Sequence, residues 1–192
     1  MTGRTSVAVI VIVAIAAFAA GYLWRGEPKT EPPQAEPSET KSADIYLPIV
    51  SLNDSAWAEE VLCYVRVPAD LPLKQRLDLL AGRLSTIKFG RLPIDVLGIE
   101  ERGGRRVAVI DLRNPSDSLA GSWYNRFQGS AGGTASTVAL CGTFLQLGFD
   151  GEWVDAIEFY YQGKPFTNEW DHVPALYGTI WRDSVVSAMQ LR

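Results

Sequence analysis

The sequence is poor in the residues from which metal and catalytic sites are most often built. Its 192 residues include one histidine and two cysteines, and no C-x-x-C pair occurs. A structural zinc site needs four Cys or His ligands, so this chain has too few of them. Cys63 and Cys141 allow two interpretations, either a disulfide that closes a long loop in an oxidising compartment or two buried free thiols. We expect no metal and no other cofactor.

An excess of positive charge is also missing. Eighteen Lys and Arg residues are outnumbered by 22 Asp and Glu residues, which gives a net charge of −4 and a pI of about 5.1. The basic residues are scattered except at Arg102, Arg105 and Arg106, which we interpret as a solvated turn. Because binding through counterion release requires a basic surface, we expect no nucleic-acid partner.

One long apolar run lies near the amino terminus. Residues 5–24 carry no charged side chain, and a helix of about 20 residues reaches about 30 Å, the thickness of a hydrocarbon core. Tyr22 and Trp24 end the run, where aromatic rings favour the membrane interface. We therefore predict a transmembrane anchor in residues 1–25, in a single-pass cell-membrane protein whose C-terminal domain is extracytoplasmic.

The segments around this run allow one alternative and define a linker. Ala17-Phe18-Ala19 fits the cleavage pattern of a signal peptide, in which case the chain would be secreted, although the apolar run exceeds the usual length of roughly 7–15 residues. Residues 26–43 contain four prolines and four glutamates, which predicts a stiff, extended linker. The folded domain then occupies residues 44–192, with a core at about 57–166 and a tail at 167–192.

Hydrophobic periodicity predicts an alternation of strands and helices in this domain. Runs of β-branched and aromatic residues indicate strands, and apolar residues three and four positions apart indicate helices. Gly103-Gly104 supplies the positive φ angles of a tight hairpin turn. The predicted elements are a strand at 61–67, a helix at 73–88 with Asp70 as its N-cap, a hairpin of 95–101 and 106–112, a helix at 134–147 and a strand at 153–161.

This order predicts an α+β fold. Its strand-helix-strand-strand-helix-strand order places two helices on one face of a small mixed sheet. The tail carries apolar residues at a helical period, so we expect a C-terminal helix that starts near Asp171, with Pro174 in its first turn. We expect one transmembrane helix to precede this α+β domain.

Five short motifs occur in an informative order within residues 43–166. They are Val65-Arg66-Val67, Arg91-Leu92-Pro93-Ile94, the strand from Val107 to Asp111-Leu112, Gly129-Ser130 before an apolar helix, and Gly163-Lys164-Pro165. Together they resemble the GerM-type domain of the sporulation and spore germination family (GerMN-like). The resemblance implies a binding or assembly module outside the cytoplasm. The loop at 114–128 and the tail after Thr167 depart from the family pattern.

Motifs for catalysis are weak. A Ser-His-Asp arrangement would use His172 beside Asp171, but Ser130 lacks the G-x-S-x-G spacing of a nucleophile elbow. The glycine-rich turn with Ser130 and Gly132 opens a helix and could bind an anionic group of a larger ligand, although it is not a P-loop. Four carboxylates are interpreted as a solvated face rather than a glycosidase pair, namely Asp150, Glu152, Asp155 and Glu158. We therefore expect no enzyme.

Aromatic residues are the best candidates for contact with a partner. Trp123 and Tyr124 lie in a polar loop and Trp170 follows a turn, so we predict that all three are exposed. Exposed aromatic rings occur at protein interfaces and can stack on sugar rings. The first hypothesis is a non-enzymatic scaffold that binds an envelope protein, and the alternative is a domain that binds cell-wall glycan. A third hypothesis is a hydrolase that uses His172.

Overall fold

The computed structural model describes residues 43–53, 55–115, 121–167 and 169–190. The predicted anchor at 5–24 and all of the predicted linker except Ala43 lie outside these residues. Within the described residues, no helix is long and apolar enough to cross a membrane. The described residues form a mixed α+β fold with two sheets and four α-helices.

The elements follow the predicted order, with additional elements at both ends and one short helix before the second long helix. They are β1 Asp44–Asn53, β2 Ala58–Pro68, α1 Leu73–Lys88, β3 Ile94–Arg102, β4 Arg105–Leu112, α2 Trp123–Arg126, α3 Gly129–Leu145, β5 Ala156–Tyr161, β6 Lys164–Pro165, β7 Thr179–Trp181 and α4 Arg182–Gln190. The predicted limits of α1 are confirmed, although Pro72 rather than Asp70 precedes its first turn as the N-cap residue. The sequence analysis missed β1, α2, β6 and β7.

The larger sheet is mixed and has β4 and β5 at its centre. β4 pairs antiparallel with β3 and parallel with β5, while β6 and β7 each pair antiparallel with β5. The β3–β4 turn has φ angles of 60° at Gly103 and 75° at Gly104, as a tight hairpin requires. β1 and β2 form a separate two-stranded antiparallel sheet. The prediction that the first strand belongs to the same sheet as the others is therefore wrong.

β1 contains Pro48, a residue that usually argues against a strand because it lacks a backbone N–H. The N–H of Ala69 donates to the carbonyl oxygen of Ala43 at 2.9 Å, just before β1 and just after β2. Hydrogen-bonded pairs alternate along an antiparallel ladder, so this bond fixes which residues of β1 direct their backbone groups toward β2. By that alternation, Pro48 directs its backbone away from β2, and the missing N–H costs the ladder no hydrogen bond.

Side chains at the C-terminal end of α3 and just after it close the outer edge of β1. The carbonyl oxygen of Pro48 accepts a hydrogen bond from Nε2 of Gln146 at 2.8 Å, and the N–H of Val50 donates to Oγ1 of Thr143 at 3.0 Å. A strand edge with free backbone groups is a template for pairing with another chain. Gln146 and Thr143 therefore satisfy the backbone groups that a neighbouring strand would otherwise bind.

One apolar core joins the two long helices to one face of the larger sheet. Alternate residues of each strand point to the same face, and the buried members on this face include Val96, Ala108, Ile110, Leu112, Ile157 and Phe159. The helices contribute Leu77, Leu80 and Leu84 from α1 and Ala139, Leu140 and Phe144 from α3. Burial of one such leucine or phenylalanine side chain stabilises the fold by about 1.5–3 kcal/mol.

The predicted C-terminal helix is wrong between Asp171 and Trp181. Pro174–Leu176 form a single 3-10 turn, and the next residues form β7, where Ile180 pairs with Ile157 of β5. The apolar spacing in the tail therefore reflects a turn and a strand that both face the core. An α-helix begins only at Arg182, the first residue of α4.

The glycine-rich run lies inside α3 rather than in a turn before it, because the helix begins at Gly129. A Cβ atom at Gly133 would lie 2.2 Å from the carbonyl oxygen of His172, and one at Gly142 would lie 2.8 Å from Cγ1 of Val50. Both distances are shorter than any relaxed contact. These two glycines let α3 approach the C-terminal tail on one side and β1 on the other.

Replacement of Gly133 by Ala is therefore expected to lower the free energy of unfolding by about 2 kcal/mol, because the contacting atom is backbone and must move. Gly82→Ala is the matched control, since Gly82 also lies in a helix and a Cβ there would meet nothing within 4 Å. The control should be neutral or more stable by up to about 1 kcal/mol. Denaturant unfolding of the full-length protein in detergent, followed by circular dichroism, measures both. Equal stabilities of the two variants would contradict this contact.

Candidate functional site

Seven aromatic rings form one cluster that begins in the core and ends at the surface. Neighbouring ring centroids are between 4.6 and 6.3 Å apart, with mostly tilted or edge-on geometry. The members are Phe89, Trp123, Phe127, Tyr161, Phe166, Trp170 and Tyr124. Aromatic pairs of this kind contribute about 0.5–1.5 kcal/mol each beyond the burial of their surface. We call this set the aromatic cluster.

Trp123 lies inside this cluster and is fully buried, so its predicted exposure is wrong. Its indole N–H donates to the carbonyl oxygen of Pro93 at 3.2 Å, and its backbone N–H donates to Oδ1 of Asn114 at 2.9 Å. The short helix α2, capped by Ser122, turns the indole inward. The polar neighbours that suggested an exposed loop are the groups that satisfy Trp123 and α2, and no pattern in the sequence distinguishes the two cases.

Tyr124 and Trp170 reach the surface, as predicted, and line the same pocket. Tyr124 is 43% exposed and Trp170 is partly buried, and their ring centroids are 6.0 Å apart. The pocket has a volume of about 440 Å³ and is lined by Tyr124, Phe127, Gln128, Glu169, Trp170, Asp171, His172 and Val173. We call it the aromatic pocket. Pockets of roughly 300–1,000 Å³ are typical of small-ligand sites.

The rim of the aromatic pocket is acidic. Glu169 and Asp171 are exposed at its edge, and Nε2 of His172 lies 3.7 Å from Oδ1 of Asp171. The loop is held in place because the carbonyl oxygen of Trp170 accepts hydrogen bonds from the N–H of Val173 and from the hydroxyl of Tyr177. The pocket thus combines apolar ring surface with carboxylates that accept hydrogen bonds from hydroxyl groups.

The predicted pair of Ser130 and Gly132 does not line the aromatic pocket. Ser130 is exposed on the first turn of α3, and Gly132 lies in a different groove, beside Arg126. The residues that line the aromatic pocket include His172 but no serine, threonine or cysteine. The described structure therefore does not place Ser130 beside His172, as the proposed Ser-His-Asp arrangement requires.

Two of the four carboxylates predicted to form a solvated face, Asp155 and Glu158, instead make contacts within the fold. Glu158 forms an ion pair with Arg102 across the larger sheet, and its side chain is only 12% exposed. Asp155 accepts a hydrogen bond from the N–H of Arg106 at 2.7 Å. The negative charge of Glu158 is the main cause that raises the pKa of Tyr160 above its ordinary value. The prediction of a solvated face is therefore wrong for Glu158.

Both cysteines are free, as the second of the two interpretations expects, although neither residue is fully buried. Cys63 lies on β2 and Cys141 lies on α3, and each residue keeps some exposed surface. Burial of the Cys141 thiol raises its pKa to about 12. A thiol reacts with alkylating agents as the thiolate. Cys141 should therefore stay protonated and unreactive over the pH range in which an ordinary thiol ionises.

Alkylation with iodoacetamide at pH 8 is expected to modify Cys63 in the folded protein and to leave Cys141 unmodified. The Cys63→Ala variant isolates the second thiol, and its rate should stay low as the pH rises to about 10, because the raised pKa keeps the thiolate fraction small. Unfolding in guanidinium should expose both sites, as measured by mass spectrometry of peptides. Rapid native labelling of Cys141 at pH 8 would contradict its burial.

Comparisons with known proteins provide no relative from which a function could be proposed. No family model, curated protein or solved structure matches the chain. The likeness to the GerM-type domain therefore stays a prediction. Within the described ranges, no group of three or more His, Cys, Asp or Glu side chains is placed to hold a metal ion.

Proposed function

We propose that the chain is a non-enzymatic binding module of the cell envelope, held in the membrane by residues 5–24 and working outside the cytoplasm. The observation that supports a binding role is the aromatic pocket, in which Tyr124 and Trp170 present ring surface beside carboxylates. This combination favours cell-wall glycan as the ligand over the scaffold hypothesis.

The chemistry of the pocket suits a saccharide. Sugar rings have apolar C–H faces that pack on aromatic rings, and their hydroxyl groups donate hydrogen bonds to carboxylates. Tyr124 and Trp170 supply the rings, and Glu169 and Asp171 supply the acceptors. The aromatic cluster behind Trp170 fixes the ring before a ligand arrives, which lowers the entropy cost of binding.

Tyr124→Ala is expected to weaken retention of the full-length protein on isolated cell wall by about fivefold, the effect of ~1 kcal/mol of lost ring contact. Tyr46→Ala is the matched control, because Tyr46 is 60% exposed but lies on β1. His172→Ala should not abolish retention, since a binding module needs no histidine base. Sedimentation with cell wall gives the affinities. Unchanged binding by Tyr124→Ala would sink the glycan proposal.

A protein partner is the second candidate, and a separate surface favours it. Tyr64 on β2 is 62% exposed, and Leu62 is 38% exposed nearby on the same strand. Large exposed aromatic side chains are enriched at protein interfaces. In cells, crosslinked envelope protein lost on Tyr64→Ala but retained on Tyr124→Ala would support this scaffold role, which is also the role that the GerM-type resemblance implies.

The location outside the cytoplasm is tested separately. We expect the full-length chain in the membrane fraction, released only by detergent, and its C-terminal domain cleaved by protease added to cells stripped of their wall. Val11→Asp combined with Val13→Asp should reduce insertion, because each central Asp costs ~2.5–3.5 kcal/mol on the insertion scale. Recovery of the intact chain from the soluble cytosol without detergent would contradict the anchor.

A further inference from the structure

A second groove lies beside the tip of the β1–β2 hairpin. Its volume is about 380 Å³, and its walls come from the hairpin, from the ends of α1 and α2, and from the first turns of α3. The lining residues on which its chemistry depends are Trp57, Lys88, Phe89, Arg126, Ala131 and Gly132. We call it the basic groove. Phe89 of the aromatic cluster lies in its wall.

The charge of the basic groove is positive although the whole chain is acidic. Among the residues that the structure describes, Lys88 and Arg126 are the ionisable ones that line it, and no described carboxylate does. Neither cation forms an ion pair with any residue that the structure describes. Other arginines are engaged, as Arg113 is by Asp95 and Asp111. The basic groove therefore keeps two cations available to an external anion.

Trp57 is held at the mouth of this groove in a strained backbone conformation. It has a φ of 50°, which is uncommon for a residue with a side chain, and the residue is 63% exposed. Oδ1 of Asn53 accepts hydrogen bonds from the N–H groups of Ser55 and Ala56, and the N–H of Trp57 donates to the carbonyl oxygen of Asn53 at 2.9 Å. These bonds hold the backbone at Trp57, and most of its side chain remains in water.

We propose that the basic groove binds a sugar ring that carries a phosphate or a carboxylate group. The exposed indole of Trp57 packs on the ring, and the guanidinium of Arg126 makes a two-pronged contact with the anion, which its planar geometry matches. Lys88 adds a second positive charge. Phosphate and carboxylate groups are both anions, so either can be bound by the two cations. The indole of Trp57 accounts for the preference for a sugar ring over a free anion.

This site is independent of the aromatic pocket and of what that pocket binds. Tyr124 lines the aromatic pocket, whereas the next two residues of α2, Asn125 and Arg126, line the basic groove. The two cavities also differ in charge, because Glu169 and Asp171 stand at the rim of the first. An anionic sugar should therefore prefer the basic groove to the aromatic pocket.

The test is an NMR titration of the full-length protein in detergent micelles with glucose 6-phosphate, glucuronate, glucose and inorganic phosphate. The backbone amide signals of Ala131 and Gly132, which line the groove, remain available in every variant. We expect these signals to shift with glucose 6-phosphate or with glucuronate, whichever anion the groove prefers. Affinity for glucose or for phosphate alone should be about tenfold weaker, because each lacks one of the two contacts.

Trp57→Ala and Arg126→Ala should each weaken binding of the preferred anionic sugar by about tenfold, and Arg126→Lys should lie between them and the wild type. Arg83→Ala is the matched control, because Arg83 is exposed on α1 and does not line the groove. Trp57 and Arg126 are exposed, so the fold should persist, and the remaining amide signals report it. Unchanged affinity in either alanine variant, or equal affinity for inorganic phosphate alone, would overturn the proposal.

Discussion

The aromatic cluster is the contact set on which both cavities depend. It starts at Phe89 beside the end of α1, passes through the buried Trp123 and Phe127, and ends at Trp170 and Tyr124. Phe89 lines the basic groove and Phe127 lines the aromatic pocket. Loops carry binding residues well only when a rigid scaffold positions them. The stacked rings supply that scaffold for α2 and for the loop that contains Trp170.

Helix α3 packs closely against the loop that contains Trp170 and against β1, and glycines allow both contacts. Gly133 brings α3 against the backbone of His172, and Gly142 brings it against Val50 of β1. The loop that contains Trp170 is therefore fixed from two directions, by rings and by the helix. Glycine has the poorest helix propensity of the ordinary residues after proline, so its presence inside α3 costs local stability that these close contacts offset.

Hydrophobic periodicity predicted the elements that are determined by residues close in sequence. It failed for elements whose formation depends on contacts with other parts of the chain. The limits of α1 and the Gly103-Gly104 hairpin follow from apolar spacing and from glycine φ angles. β1 depends on Thr143 of α3 and on Gln146 just after it, which satisfy the outer backbone groups around Pro48, and β7 depends on β5. The sequence predicted Tyr124 and Trp170 at the surface, whereas the burial of Trp123 depends on Asn114, nine residues away, and on Pro93, 30 residues away.

The carboxylates closest to the larger sheet are engaged within the fold. Glu158 is bound by Arg102, and the fully buried Asp111 accepts hydrogen bonds from Arg113 and from the N–H of Gly163. These side chains hold neighbouring strands and turns together. Lys88 and Arg126, by contrast, form no ion pair with the residues that the structure describes, and they line the same groove as the exposed Trp57. The proposed anion site therefore uses positive charges that the described fold does not need for its own contacts.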